Sequence, residues 1–139
     1  MKIKQYKYSK EQSYKINKLL QYVRPPMILY DYDIIVCYSS EGNKIGYAVI
    51  EHGDRSLHGD CPEYIAHINY NLSLLEIYSS EQLKGYGTFI MNNIKKIYKL
   101  NEKNRIIIKC DVDVMQFYSK NNAYEIPNTY FDDELLMII

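Results

Sequence analysis

Gly85 and Gly87 stand one residue apart in the run Ser79-Ser80-Glu81-Gln82-Leu83-Lys84-Gly85-Tyr86-Gly87-Thr88, the stretch of this chain best suited to hold an anion. A loop that opens directly into a helix leaves backbone N–H groups without carbonyl partners, and the helix dipole adds positive potential at the same place. Glycine lets the main chain approach a phosphate closely and adopt positive φ, and Lys84 adds a point charge. Two phosphate loops are excluded. A dinucleotide fingerprint needs a third glycine where Ile90 stands, and a P-loop needs Gly-Lys followed by Ser or Thr, which does not occur. What remains is a pyrophosphate loop of another sort or an ordinary strand-to-helix turn.

The other chemistry-bearing side chains are scattered. His52, His58 and His67 have no metal-ligand spacing, and Cys37, Cys61 and Cys110 are odd in number and form no Cys-x-x-Cys pair. Neither a metal site nor a disulfide framework is expected, and a reducing, cytoplasmic compartment fits. Nothing near Cys110 in sequence would activate its thiol. Asp111 and Asp113 read as helix caps. Asp132-Asp133-Glu134 reads either as a solvated turn or as a lure for a cationic amine.

The elements that position these residues follow from the apolar pattern. Ser9 and Gln12 have capping-box spacing, and Tyr14, Ile16, Leu19, Leu20 and Val23 continue at helical intervals to Pro25-Pro26. Residues 33–38 and 45–51, joined by Glu41-Gly42-Asn43-Lys44, predict a hairpin. Residues 52–62 predict a loop, and 64–69 and 72–78 two more strands. Residues 88–100 place Phe89, Ile90, Ile94, Ile97 and Tyr98 on one helical face, and 105–112 carry the β-branched run of a buried strand. Asp113 and Gln116 open a short helix to about Lys120, and terminal strands follow near Glu125 and at 135–139. This order predicts an α/β (α+β) fold, a mixed sheet with helices on both faces.

Composition agrees with one folded domain over residues 1–139. The chain has 17 Lys plus Arg against 17 Asp plus Glu, so no net charge attracts it to nucleic acid or membrane. No run reaches the roughly 18 apolar residues of a membrane span. The sequence leaves the oligomeric state open, a homodimer included.

Gln82-Leu83-Lys84-Gly85-Tyr86-Gly87 resembles the Gln/Arg-x-x-Gly-x-Gly/Ala motif of the GNAT N-acetyltransferases, and Phe117-Tyr118-Ser119-Lys120-Asn121-Asn122-Ala123 resembles that family's Phe-Tyr-x-Lys-x-Gly-Phe/Ala segment. Asn122 replaces the usual glycine, and Asn tolerates the left-handed conformation. The resemblance spans about Lys10 to Ile139. It implies a mostly antiparallel sheet with a central, splayed pair of parallel strands, and acetyl-CoA as co-substrate. Amides near Ile77 and Ser79 would hold the pantetheine arm, and Leu83 to Thr88, with Gln82, the pyrophosphate. Tyr118 would be the general acid toward the CoA thiolate, and the acceptor a primary amine, of a small molecule or of a protein lysine or N-terminus. The family's usual basic residue is missing: Asn71, Ser73 and Leu75 cannot take a proton near neutral pH, and alternation is expected to turn Glu76 to the other face. Water held by Asn71 and Ser73, or His67, could serve instead, or the amine could enter already neutral. The alternative is a GNAT-fold CoA-binding or protein-interaction module without catalysis.

Overall fold

A computed structural model of the chain describes residues 1–12, 31–52, 68, 70–78, 82, 84–102, 104–126 and 134–139. The β-branched runs form its centre. Strand β2 (Asp31–Tyr38) carries Ile34-Ile35-Val36 and β3 (Lys44–His52) carries Ala48-Val49-Ile50, all buried, as befits strands covered on both faces. They form the expected hairpin, its turn closed by Ser39 N–H to the Asn43 carbonyl at 2.8 Å and by Gly42 at φ 88°. Glycine meets that positive φ without a Cβ penalty.

One strand was not foreseen. Strand β1 (Lys2–Tyr8) pairs along its whole length antiparallel with β2, from Lys2 opposite Tyr38 to Tyr8 opposite Tyr32. Its Lys and Tyr residues blur the apolar alternation, and lysines are what an unpaired sheet edge tolerates. Ser9 and Gln12 do form half of the capping box, with the Ser9 N–H donating to Gln12 Oε1 at 3.0 Å, at a 3₁₀ turn over Lys10–Gln12. The helix expected over 14–23 and the 53–62 part of the expected loop lie outside the described residues, as does the strand expected over 64–69 except for Ile68, which is not in a strand.

Strands β4 (Tyr70–Ile77), β5 (Ile106–Asp111), β6 (Tyr124–Glu125) and β7 (Glu134–Ile138) complete a seven-stranded sheet in the order β1-β2-β3-β4-β5-β7-β6. Among the described residues only the β4–β5 pair is parallel. Helix α1 (Tyr86–Ile97) lays Ile90, Met91 and Ile94 on the sheet against Ile35, Ala48, Ile50, Leu72, Ile106 and Ile108. Each buried Ile, Leu or Met side chain contributes about 1.5–3 kcal/mol. Helix α2 (Met115–Lys120) adds Tyr118 to the same core. The opposite face carries Tyr32, Ile34, Val36, Tyr47 and Val49 in one cluster and Ile68, Ile107, Ile126, Leu136 and Ile138 in another. This is the GNAT-type α/β arrangement, a mixed sheet with one parallel pair at its middle.

Candidate active site

The β4–β5 pairing is short. It runs from Tyr70 opposite Ile106 to Leu72 opposite Ile108, after which β4 continues beside β3 to Ile77 and β5 beside β7 to Asp111. The two strands therefore part beyond Leu72 and leave a V. A cavity of about 540 Å³ opens there, lined by Leu75, Ile77, Gln82, Gly85, Tyr86, Gly87, Thr88, Val114, Phe117 and Tyr118. The two motifs singled out from the sequence thus meet across one space. Tyr78 N–H donates to the Ile45 carbonyl at 3.0 Å, so alternation along β4 turns the Ile77 and Leu75 amides toward the V. The Gln82 side chain donates to the Ile77 carbonyl at 3.0 Å and ties the loop to the strand end. Lys84 is exposed on the loop, and Ser79 and Leu83 lie outside the described residues.

Helix α1 starts two residues earlier than its apolar pattern implies, because Gly85, at φ 83°, is its N-cap. Gly87 plays a different part. A Cβ there would sit 3.0 Å from the Phe117 ring, whereas a Cβ on Gly85 would meet nothing. One glycine is needed for its dihedral, the other for its lack of a side chain.

Helix α2 ends in a Schellman turn: Ala123 N–H reaches the Tyr118 carbonyl at 3.0 Å and Asn122 N–H the Ser119 carbonyl at 3.1 Å, with Asn122 at φ 70°. Asn122 thus takes the left-handed conformation that glycine would. Asn121, buried behind it, donates to the Phe117 carbonyl at 2.9 Å, and its own carbonyl accepts from Lys95 of α1 at 2.6 Å. The expected aspartate caps do not form. A 3₁₀ turn over Val112–Val114 separates β5 from α2, so the α2 N-cap is Val114, and Asp111 and Asp113 are exposed without a capping bond.

Tyr118 is 8% exposed and lines the cavity, its ring edge-on to Phe117 at 5.1 Å. Its phenol makes no hydrogen bond among the described residues. Burial, and then the neighbouring Cys110, push its pKa above the ordinary tyrosine value, so it stays protonated. Cys110 is itself buried.

The expected parity of β4 needs correction. Val49 faces Leu74 but Ile50 faces Leu72, so Ser73 is an extra residue, a β-bulge. The bulge reverses alternation: Leu75 packs under α1, while Asn71, opposite Glu51, shares the far face with Leu74 and Glu76. Glu76, exposed, accepts the Tyr47 hydroxyl at 2.5 Å. Glu51 is the residue that sequence reasoning missed. It is 1% exposed, and Ser73 Oγ donates to its carboxylate, while Asn71 Nδ2 lies 3.4 Å from the same hydroxyl. Only the β3–β4 register brings Glu51 beside Ser73, 22 positions away in sequence.

A second buried carboxyl lies one register step from Glu51, on the helix-covered face of the sheet, just past the end of α1. Asp33, 2% exposed, accepts from Tyr98 at 2.5 Å and from Gln5 at 3.0 Å, and pairs with His52 at 2.8 Å. His52 is thereby accounted for structurally; His58 and His67 lie outside the described residues, as do Asp132 and Asp133. Among the described residues no group of His, Cys, Asp and Glu is placed to hold a metal, and no helix is long and apolar enough to cross a membrane.

The chain has the fold of the GNAT N-acetyltransferases. ElaA of Escherichia coli superposes with a TM-score of 0.64 at 12% identity, covering 99% of each chain. A protein described as a GNAT-family acetyltransferase of Desulfovibrio desulfuricans gives 0.62 at 9% identity, over 99% of this chain and 98% of its own. NAA60 of Arabidopsis thaliana, solved with acetyl-CoA, gives 0.58 at 11% identity over 99% of each. No protein-family model matches the sequence, and no curated protein does.

Proposed function

We propose that the chain is an acetyl-CoA-dependent N-acetyltransferase that passes an acetyl group directly to a primary amine in a ternary complex. The observation that carries this reading is the convergence of the glycine loop, the parted strands and Tyr118 on one cavity. The cavity fits the co-substrate's chemistry. Leu75, Ile77, Val114 and Phe117 offer an apolar wall to an uncharged arm, and the first turn of α1 offers free N–H groups to a pyrophosphate. Bound acetyl-CoA supplies the activated acyl carbon. The Leu75 and Ile77 amides hold the arm, residues 82 to 88 the phosphates, and Tyr118, protonated and facing the cavity, donates to the departing thiolate. The fold neighbour solved with acetyl-CoA supports the choice of donor.

Ligand saturation at about 100 times the dissociation constant stabilises a fold by roughly 2.7 kcal/mol, so acetyl-CoA should raise the melting temperature visibly. Release of CoA thiol with a panel of amines then identifies the acceptor class. No melting shift at millimolar acetyl-CoA overturns the proposal; a shift with no thiol release from any amine leaves a CoA-binding module in its place.

A further inference from the structure

Amine acetylation needs a proton acceptor, because the neutral amine's nitrogen gains positive charge as it bonds to the acyl carbon and must shed an N–H proton to leave a neutral amide. The strand positions expected to provide one hold Asn71, Ser73 and Leu75, and the next carboxylate along the strand is Glu76. The sheet nevertheless carries a carboxylate at this place on the adjacent strand. Glu51 is 1% exposed, opposite Asn71 in the β3–β4 register. Enclosing a carboxylate costs several kcal/mol unless donors surround it, so a buried one in the middle of a sheet calls for a reason.

Ser73 provides the link. It is the bulged residue, the first on β4 beyond the last β4–β5 pair, and so stands at the apex of the V. The bulge turns its hydroxyl to Glu51, to which it donates, while Asn71 Nδ2 approaches the same oxygen at 3.4 Å. A serine hydroxyl has one proton and two lone pairs. With the proton given to Glu51 and one lone pair facing Asn71, the other can accept an N–H from an incoming amine.

We infer that Ser73 and Glu51 form a proton relay in which the carboxylate on β3 takes the amine's proton through the bulged serine on β4. This rests on the acetyl-transfer reading above. As the C–N bond forms, the amine N–H proton passes to Ser73 Oγ while the Ser73 hydroxyl proton passes to Glu51. As the C–S bond breaks, the Tyr118 proton passes to the thiolate. Glu51 then releases its proton to solvent and Tyr118 regains one, so the balance is amine plus thioester to amide plus thiol. Ser73 is the catalytic residue of the pair, and Glu51 acts through it.

The test compares the parent with Glu51→Gln, Ser73→Ala, Ser73→Thr and Glu76→Gln, using acetyl-CoA with spermidine and with hydroxylamine as probe nucleophiles. Glu51→Gln should lower kcat by about 10²-fold and Ser73→Ala by at least 10-fold, with the KM for acetyl-CoA within twofold. Ser73→Thr, which keeps the hydroxyl, should recover most of the loss, and Glu76→Gln should keep kcat near the parent's. Independently of turnover, the ¹³C carboxyl resonance that disappears in Glu51→Gln should shift in Ser73→Ala and not in Glu76→Gln. If Glu51→Gln does not fold, the Ser73→Ala and Ser73→Thr pair decides. Unchanged kcat in both Glu51→Gln and Ser73→Ala while acetyl-CoA still raises their melting temperatures overturns the relay alone, as does a loss confined to Glu76→Gln. A parent that acetyl-CoA does not stabilise overturns the transfer reading and the relay with it.

Discussion

The ring of Phe117 lies where a side chain on Gly87 would be, 3.0 Å from the position of the missing Cβ. The loop-helix unit and the strand-helix unit, 30 residues apart in sequence, therefore close on each other at a point where any side chain would push them apart.

Gly87→Ala should displace Phe117 and deform the cavity wall, lowering stability by about 1–3 kcal/mol as overpacking does and weakening acetyl-CoA binding. Phe117→Leu in the same chain should restore part of both. Gly85→Ala, with open space around it, should cost only its left-handed backbone, about 1–2 kcal/mol, and Gly85→Asn should cost less. Urea midpoints and acetyl-CoA titrations of the four variants check these orderings.

At Asn122, φ 70° makes the side chain the liability. Asn122→Gly should leave stability unchanged or slightly raised, whereas Asn122→Val should cost about 1–3 kcal/mol, since a β-branched residue strains in that region. Thermal unfolding of the two variants side by side reads the difference. A harmless Val would mean that the turn does not hold α2.

Tyr118→Phe removes one proton donor and leaves the ring packed. Turnover should fall by roughly 10²-fold where protonation of the thiolate limits the rate, with acetyl-CoA affinity preserved. Kinetics and a binding titration on one preparation test this, and turnover within twofold of the parent would make Tyr118 a packing residue.

Tyr98, raised by burial and then by its bond to Asp33, and Tyr118, raised by burial, keep their protons in the folded chain at a pH where an unfolded tyrosine has lost its own. The folded state then binds more protons than the unfolded one, so stability from these groups is level below about pH 10 and falls above it, by up to about 1.4 kcal/mol per pH unit for each. Urea midpoints between pH 8 and 11 measure the slope, which Tyr98→Phe and Tyr118→Phe should each flatten. Tyr98→Phe should also cost about 1–3 kcal/mol at pH 7, because it leaves the buried Asp33 short of a donor.

Local pattern made the loop-helix unit legible. Gly85, Gly87 and the apolar face of residues 89–98 lie within a few residues of one another, and their spacing alone predicts a helix entered through a glycine-containing turn. The hairpin at 33–51 and the buried strand near 106–111 were equally readable, because continuous β-branched runs have few other uses. Strand β1 was not: its Lys and Tyr residues match no strong period, and it is held by partners in β2 roughly 30 positions away.

The candidate site divides along the same line. Sequence alone determined which loop is proposed to grip a pyrophosphate and which tyrosine stands in the second motif, since each depends on neighbours in the chain. Tertiary structure decided where the proton could go. The extra residue at Ser73 is invisible without β3 beside it, and a bulge of one residue reverses every later side chain, so the sides assigned to Leu75 and Glu76 by simple alternation were exchanged. Glu51 came into view for the same reason. Its nearest chemical partners belong to another strand, and strand register is set by cross-strand hydrogen bonding and by burial of a whole face, quantities that no window of sequence contains.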